Sequence, residues 1–134
     1  KVVLKGKPDL VLSGINHGSN ASVNVVYSGT MAAAIEACID GIPAIGLSLM
    51  DYSHKADFDH VDVFVKRIIK DVLQNGLPEG VCLNVNIPTL EAGQIQGIKV
   101  CRQAPGRWWD RQGRRTTGPT ALKRRPGAGQ CHPA

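Results

Sequence analysis

A chain of 134 residues, 43% of them hydrophobic, suits about one domain and is apolar enough for a core, which excludes a wholly disordered protein. Its 16 Lys+Arg against 11 Asp+Glu leave a net charge of +5. No apolar run approaches the ~18 residues that a membrane span needs, and no secretory leader is visible, so membrane partners are not expected.

Asp9 to Leu12 is a short apolar run after Pro8 and reads as a buried strand ending at Ser13-Gly14. Residues 14–29 are rich in Gly, Asn and Ser and read as a long loop. Thr30 to Ile39 is built from strong helix formers, and Gly41 and Pro43 stop it. Ala44 to Leu49 is a second apolar strand. Lys55 to Asn75 reads as a longer helix, with Phe58, Val61, Val65, Ile68 and Val72 on one stripe. Val81 to Ile87 is a third strand, and Ile98 to Arg102 a fourth. Strands alternating with helices imply a parallel sheet covered on both sides. In such sheets ligands sit beyond the carboxyl ends of the strands, where the loop from Gly14 to Gly29 would lie.

The charge is concentrated at one end. Residues 1–103 hold 9 Lys+Arg and 10 Asp+Glu, a net of −1; residues 104–134 hold 7 Lys+Arg and one Asp, a net of +6. That tail contains no Val, Ile or Phe, so it is expected to be disordered. The division is therefore a partial α/β domain over 1–103 and a basic tail over 104–134. Trp108 and Trp109 among the arginines could stack on bases, but solvated charge runs are far commoner than nucleic-acid readers, so that partner is not favoured. The four cysteines, Cys38, Cys82, Cys101 and Cys131, form no C-x-x-C pair. Neither a zinc site nor a disulfide framework is expected, and a reducing, cytoplasmic compartment fits.

One segment carries chemical information: Ser13-Gly14-Ile15-Asn16-His17-Gly18-Ser19-Asn20, followed by Tyr27-Ser28-Gly29-Thr30 at a helix start. Asn16 and Asn20 offer amide oxygens, hard donors suited to Mg²⁺ or Mn²⁺. Ser28, Gly29 and Thr30 stand at a helix N-terminus, which favours a phosphate. The competing reading is an ordinary turn with Ser28 as a helix cap.

These motifs, with Pro8-Asp9-Leu10-Val11-Leu12, Gly41-Ile42-Pro43-Ala44-Ile45 and Leu83-Asn84-Val85-Asn86-Ile87-Pro88, resemble the SurE family of 5′-nucleotidases in several separated places and in order. The resemblance implies a Rossmann-like three-layer α/β/α fold with a mainly parallel sheet, here incomplete, and assembly as a homodimer or homotetramer. It implies hydrolysis of nucleoside monophosphates with a divalent metal ion, Mg²⁺ or Mn²⁺. It makes Asn16 a metal ligand and, with Ser28, a catalytic residue. It places the phosphate on Ser28, Gly29, Thr30 and Asn20. Asn24 stands where many members have Asp. The family's Asp-Asp pair, its charged metal ligands, has its place upstream of residue 1, and the tail departs from the family after Trp109. The chain, which does not begin with Met, is accordingly expected to be part of a nucleotidase and inactive alone. The alternative is a nucleotide- or anion-binding module without hydrolysis.

Other polar residues have plainer readings. His17 either orients substrate or is an exposed loop histidine. His54, Asp57, Asp59, His60 and Asp62 could suggest a metal site, but acidic residues are favoured in a helix's first turn anyway. Asn84 and Asn86 alternate with Leu83, Val85 and Ile87 and are expected to support the site loop by hydrogen bonds.

Overall fold

A computed structural model describes residues 4–103. Three strands, β1 (Val11–His17), β2 (Ala44–Leu49) and β3 (Leu83–Ile87), form one parallel sheet in the order β1-β2-β3. Helix α1 (Gly29–Ile39) joins β1 to β2, and α2 (Asp62–Asn75) joins β2 to β3. The expected α/β architecture is present, with one helix on each face of the sheet.

The residues of β2 explain the layering. All six are buried, and successive side chains point to opposite faces. Ala44 and Gly46 face α1, where Met31, Ala34 and Ala37 pack on them. Ile45, Leu47 and Leu49 face the other way, where Ile45 and Leu47 meet Ile68 and Val72 of α2 and Leu49 meets Val61 and Ile87. Small residues let α1 approach closely, while large ones fill the space under α2. A Cβ on Gly46 would collide with the Met31 sulfur. Beside this layer, burial pushes the Cys82 thiol above its usual range, with neighbouring Cys38 adding to the shift. Cys38 and Cys82 are free thiols.

Besides end shifts of one or two residues, such as β3 starting at Leu83 rather than Val81, three features differ from the sequence reading. First, β1 does not end at Leu12 but runs on to His17, through what reads as loop. Gly14 makes this possible: any Cβ there would strike the Leu47 carbonyl oxygen, and its φ is +113°. Second, α2 starts at Asp62 rather than Lys55, after a 3-10 turn over Asp59–Val61. Side chains capture the preceding backbone: Ser53 N–H donates to Asp51 (2.7 Å), Lys55 N–H to Ser53 Oγ (3.1 Å) and Asp59 N–H to Asp57 (2.8 Å). Such local bonds compete with helix formation. Third, residues 98–102 are not a strand. Ile98 and Val100 are exposed. The end of this segment is tied by a side chain instead: the Gln103 amide donates to Ser22 O at 2.7 Å and accepts from Asn84 at 3.3 Å. The 104–134 tail lies outside the described residues. Among the described residues, no helix is long and apolar enough to cross a membrane.

Candidate functional site

The site is built at the carboxyl ends of the three strands, on the α1 face of the sheet. Register decides who meets whom. Ser13 pairs with Gly46 and Asn16 with Ser48, so three steps along β1 match two along β2. One extra residue is therefore inserted, a β-bulge, and bulges re-aim side chains. Without it, strand alternation would send Asn16 to the α2 face. With it, Asn16 shares a face with Ser48, and with Asn84 and Asn86, which pair with Gly46 and Ser48 from β3.

These residues and Asn20 form one hydrogen-bonded network. The Asn16 amide nitrogen donates to His17 O (2.9 Å) and Gly18 O (3.2 Å), which leaves its oxygen to accept from Asn20 Nδ2 at 2.9 Å. Asn20 is 3% exposed. Its backbone N–H donates to Asn86 Oδ1 (2.8 Å), and its backbone carbonyl accepts from Asn84 Nδ2 (2.9 Å). Asn86 Oδ1 also accepts from Ser48 Oγ (3.0 Å) and Ser19 Oγ (3.3 Å), while Asn86 Nδ2 donates to Asn84 Oδ1 (2.9 Å). The expected support of the loop by Asn84 and Asn86 is thus present bond by bond.

Sequence reading missed two members. Ser48 sits in an apolar strand and is wholly buried, with its hydroxyl on Asn86 and near Val85 O. Its signal was the one hydroxyl in an otherwise apolar Ala-Ile-Gly-Leu-Ser-Leu run. Tyr52 lays its ring against Gly18, and its hydroxyl oxygen accepts from Ser19 N–H at 3.2 Å. No local pattern marks that long-range contact.

Ser28 stands apart from the amide network. It is the N-cap of α1, and its Oγ accepts from Met31 N–H at 3.1 Å. The cap uses an oxygen lone pair and leaves the hydroxyl hydrogen for an anion. Gly29 is exposed, with open space where a Cβ would be. The N–H groups of Gly29 and Thr30 belong to the first turn and have no partner within the helix. Replacing Ser28 by Ala is expected to cost about 1 kcal/mol through the lost cap, read as a lower melting temperature.

Among the remaining candidates, His17, Asp57 and Asp62 take structural roles, while the Nε2 of His60 is buried without a hydrogen-bond partner among the described residues. His17 is exposed, with its ring edge-on to Phe58 at 5.1 Å. Asp57 closes a turn, and Asp62 pairs with Lys66 at 2.7 Å, one turn along α2. Among the described residues no three His, Cys, Asp or Glu side chains converge as a metal site.

That bears on the implied cation. The donors here are neutral amides and hydroxyls, and the Asn16 oxygen is already accepting from Asn20. Mg²⁺ normally leans on one or two carboxylates. The described residues therefore do not fit a divalent cation by themselves; Asn16 offers one neutral ligand.

Comparison with known proteins gives one consistent answer. Residues 1–110 match the family described as survival protein SurE. The chain is similar to 5′-nucleotidase SurE of Christiangramia forsetii, 62% identical over 114 residues, covering 85% of this chain and 44% of that protein. It is also similar to 5′-nucleotidase SurE of Cytophaga hutchinsonii, 62% identical over 107 residues, 79% of this chain and 41% of that one. The crystal structure of the SurE protein from Aquifex aeolicus superposes with a TM-score of 0.69 at 41% identity, covering 81% of this chain and 46% of that one. The chain thus spans less than half the length of the relatives it matches.

Proposed function

Because this chain belongs to the SurE family, we propose that it forms the phosphate-binding half of a 5′-nucleotidase that hydrolyses nucleoside monophosphates to nucleoside and phosphate. The observation that carries this reading is the bulge in β1, which turns Asn16 to the α1 face, beside Ser48, at the carboxyl ends of the strands, where ligands of such sheets bind. It is supported by the start of α1, where the Ser28 hydroxyl and the N–H groups of Gly29 and Thr30 can take phosphate oxygens. Asn20, nearly buried and with both backbone groups engaged, is better placed to hold Asn16 than to meet a phosphate.

A divalent cation, Mg²⁺ or Mn²⁺, belongs to the same proposal, with Asn16 as one ligand and carboxylates from outside the described residues. Such an ion polarises a phosphate and acidifies bound water. What this chain's own residues do is narrower: they bind and orient the phosphate and hold the Asn16 amide in one orientation. Assembly as a homodimer or homotetramer and the division at residue 103 are parts of the proposal too. The free thiols of Cys38 and Cys82 are compatible with a reducing, cytoplasmic setting, which belongs to the same proposal.

The test is phosphate release from a nucleoside monophosphate, with Mn²⁺ or Mg²⁺ against EDTA. The 134-residue chain is compared with a longer protein spanning the full length of the relatives. Hydrolysis is expected from the longer protein only, with Asn16→Ala lowering it by ~10-fold or more, since loss even of a group that only supports a metal ligand costs about 10–100-fold. Hydrolysis by the short chain would show that no outside ligands are needed. Phosphate binding without hydrolysis in either protein would favour a non-catalytic nucleotide- or anion-binding module.

A further inference from the structure

We propose that Asn84 and Asn86 act as a two-point clamp on the backbone of Asn20, and that this clamp sets the position of the Asn16 amide. They are positioning residues for the site proposed above, and the inference rests on that reading of Asn16. Asn86 Oδ1 takes the Asn20 N–H, and Asn84 Nδ2 takes the Asn20 carbonyl. The two clamp residues are also bonded to each other, at 2.9 Å.

The bonds leave no freedom in how the amides are turned. A backbone N–H can only donate, so the oxygen of Asn86 must face Asn20; a backbone carbonyl can only accept, so the nitrogen of Asn84 must. The hydroxyl of Ser48, wholly buried, lies 3.0 Å from the same Asn86 oxygen and can donate to it. Asn20 then presents its amide nitrogen to Asn16 Oδ1 at 2.9 Å. Order runs from the buried β2 hydroxyl, through Asn86 and Asn20, to Asn16.

The experiment follows asparagine side-chain amide resonances in the ¹⁵N-labelled 134-residue chain, without metal or nucleotide. Asn86→Ala is expected to shift the Asn16 and Asn20 resonances and to speed Asn20 backbone hydrogen exchange by about tenfold, as loss of one buried hydrogen bond should. Resonances of Ile68 and Val72 in α2 should stay in place. Asn86→Asp keeps an oxygen facing the Asn20 N–H but sets its second oxygen against Asn84 Oδ1 where a donor stood, so the Asn20 N–H should stay protected while the Asn84 contact to the Asn20 carbonyl loosens. The idea is overturned if the Asn16 resonances do not move in Asn86→Ala, or if the Asn20 N–H exchanges as fast in Asn86→Asp as in Asn86→Ala. Should Asn86→Ala fail to fold, Asn84→Ala decides: it removes the contact to the Asn20 carbonyl and must shift the Asn16 and Asn20 resonances, and no shift overturns the clamp. Failure of hydrolysis in the longer protein would sink the nucleotidase reading and leave this readout standing.

Discussion

Gly14→Ala is expected to be the most damaging single-methyl change in this protein. Two penalties act together. The backbone at Gly14 has φ of +113°, a region that side chains with a Cβ rarely adopt, at a cost of about 1–3 kcal/mol. The new methyl would also collide with the Leu47 carbonyl oxygen. That oxygen belongs to a central strand paired on both sides, so it cannot withdraw without breaking the sheet. Overpacking of this sort adds about 1–3 kcal/mol. A combined loss of roughly 2–6 kcal/mol is comparable with the whole stability of a small domain, about 5–15 kcal/mol. Urea denaturation should show a midpoint far below that of the parent chain, or no cooperative transition. Gly46→Ala is the control, because its new methyl meets the Met31 side chain rather than backbone. Met is unbranched and adaptable, so the cost there should be smaller. Equal losses at the two glycines would contradict the argument.

Leu49→Ala should be nearly as costly, by a different mechanism. Leu49 is wholly buried at the end of β2, packed with Val61 and Ile87. Removing its side chain loses transfer free energy and leaves a cavity, for which about 2–5 kcal/mol is usual. Both neighbours approach from fixed elements, the turn before α2 and strand β3, so the cavity collapses poorly. The loss is global, since Leu49 faces α2 while the amide network lies on the opposite face. The asparagine resonances of the remaining folded fraction should therefore match those of the parent chain, while the denaturation midpoint falls. A change confined to the Asn16 and Asn20 signals, with the midpoint unchanged, would show that the layers are not assigned correctly.

Much of this was legible in the local sequence. The six residues of β2 match the expected strand end to end, because a continuous apolar run between a helix stop and a polar loop has few other uses. The body and end of both helices follow from the same periodic burial, down to the last residue, Asn75. Asn84 and Asn86 could be read as loop supports because strand alternation sends both to the face opposite Leu83 and Val85. Asn16 and Ser28 were singled out by residue chemistry and by the resemblance to a family, and the comparisons bear out that family.

Other features depend on contacts between segments far apart in the chain. The bulge at Gly14 exists because one glycine passes under a carbonyl on another strand, and no window of neighbouring residues contains that contact. The late start of α2 is decided by side chains that bond the backbone two residues on, outcompeting a helical pattern that continues through them. Ser48 looks like a minor break in an apolar strand until its hydroxyl is seen to hold Asn86. The sequence alone determined which segments are strands and helices, since burial imposes its period on the residues themselves. The tertiary structure decided where Asn16 and Asn20 sit and which way Asn86 is turned, because the backbone of Asn20 is held by side chains of β3 and an amide is oriented by its hydrogen-bond partners.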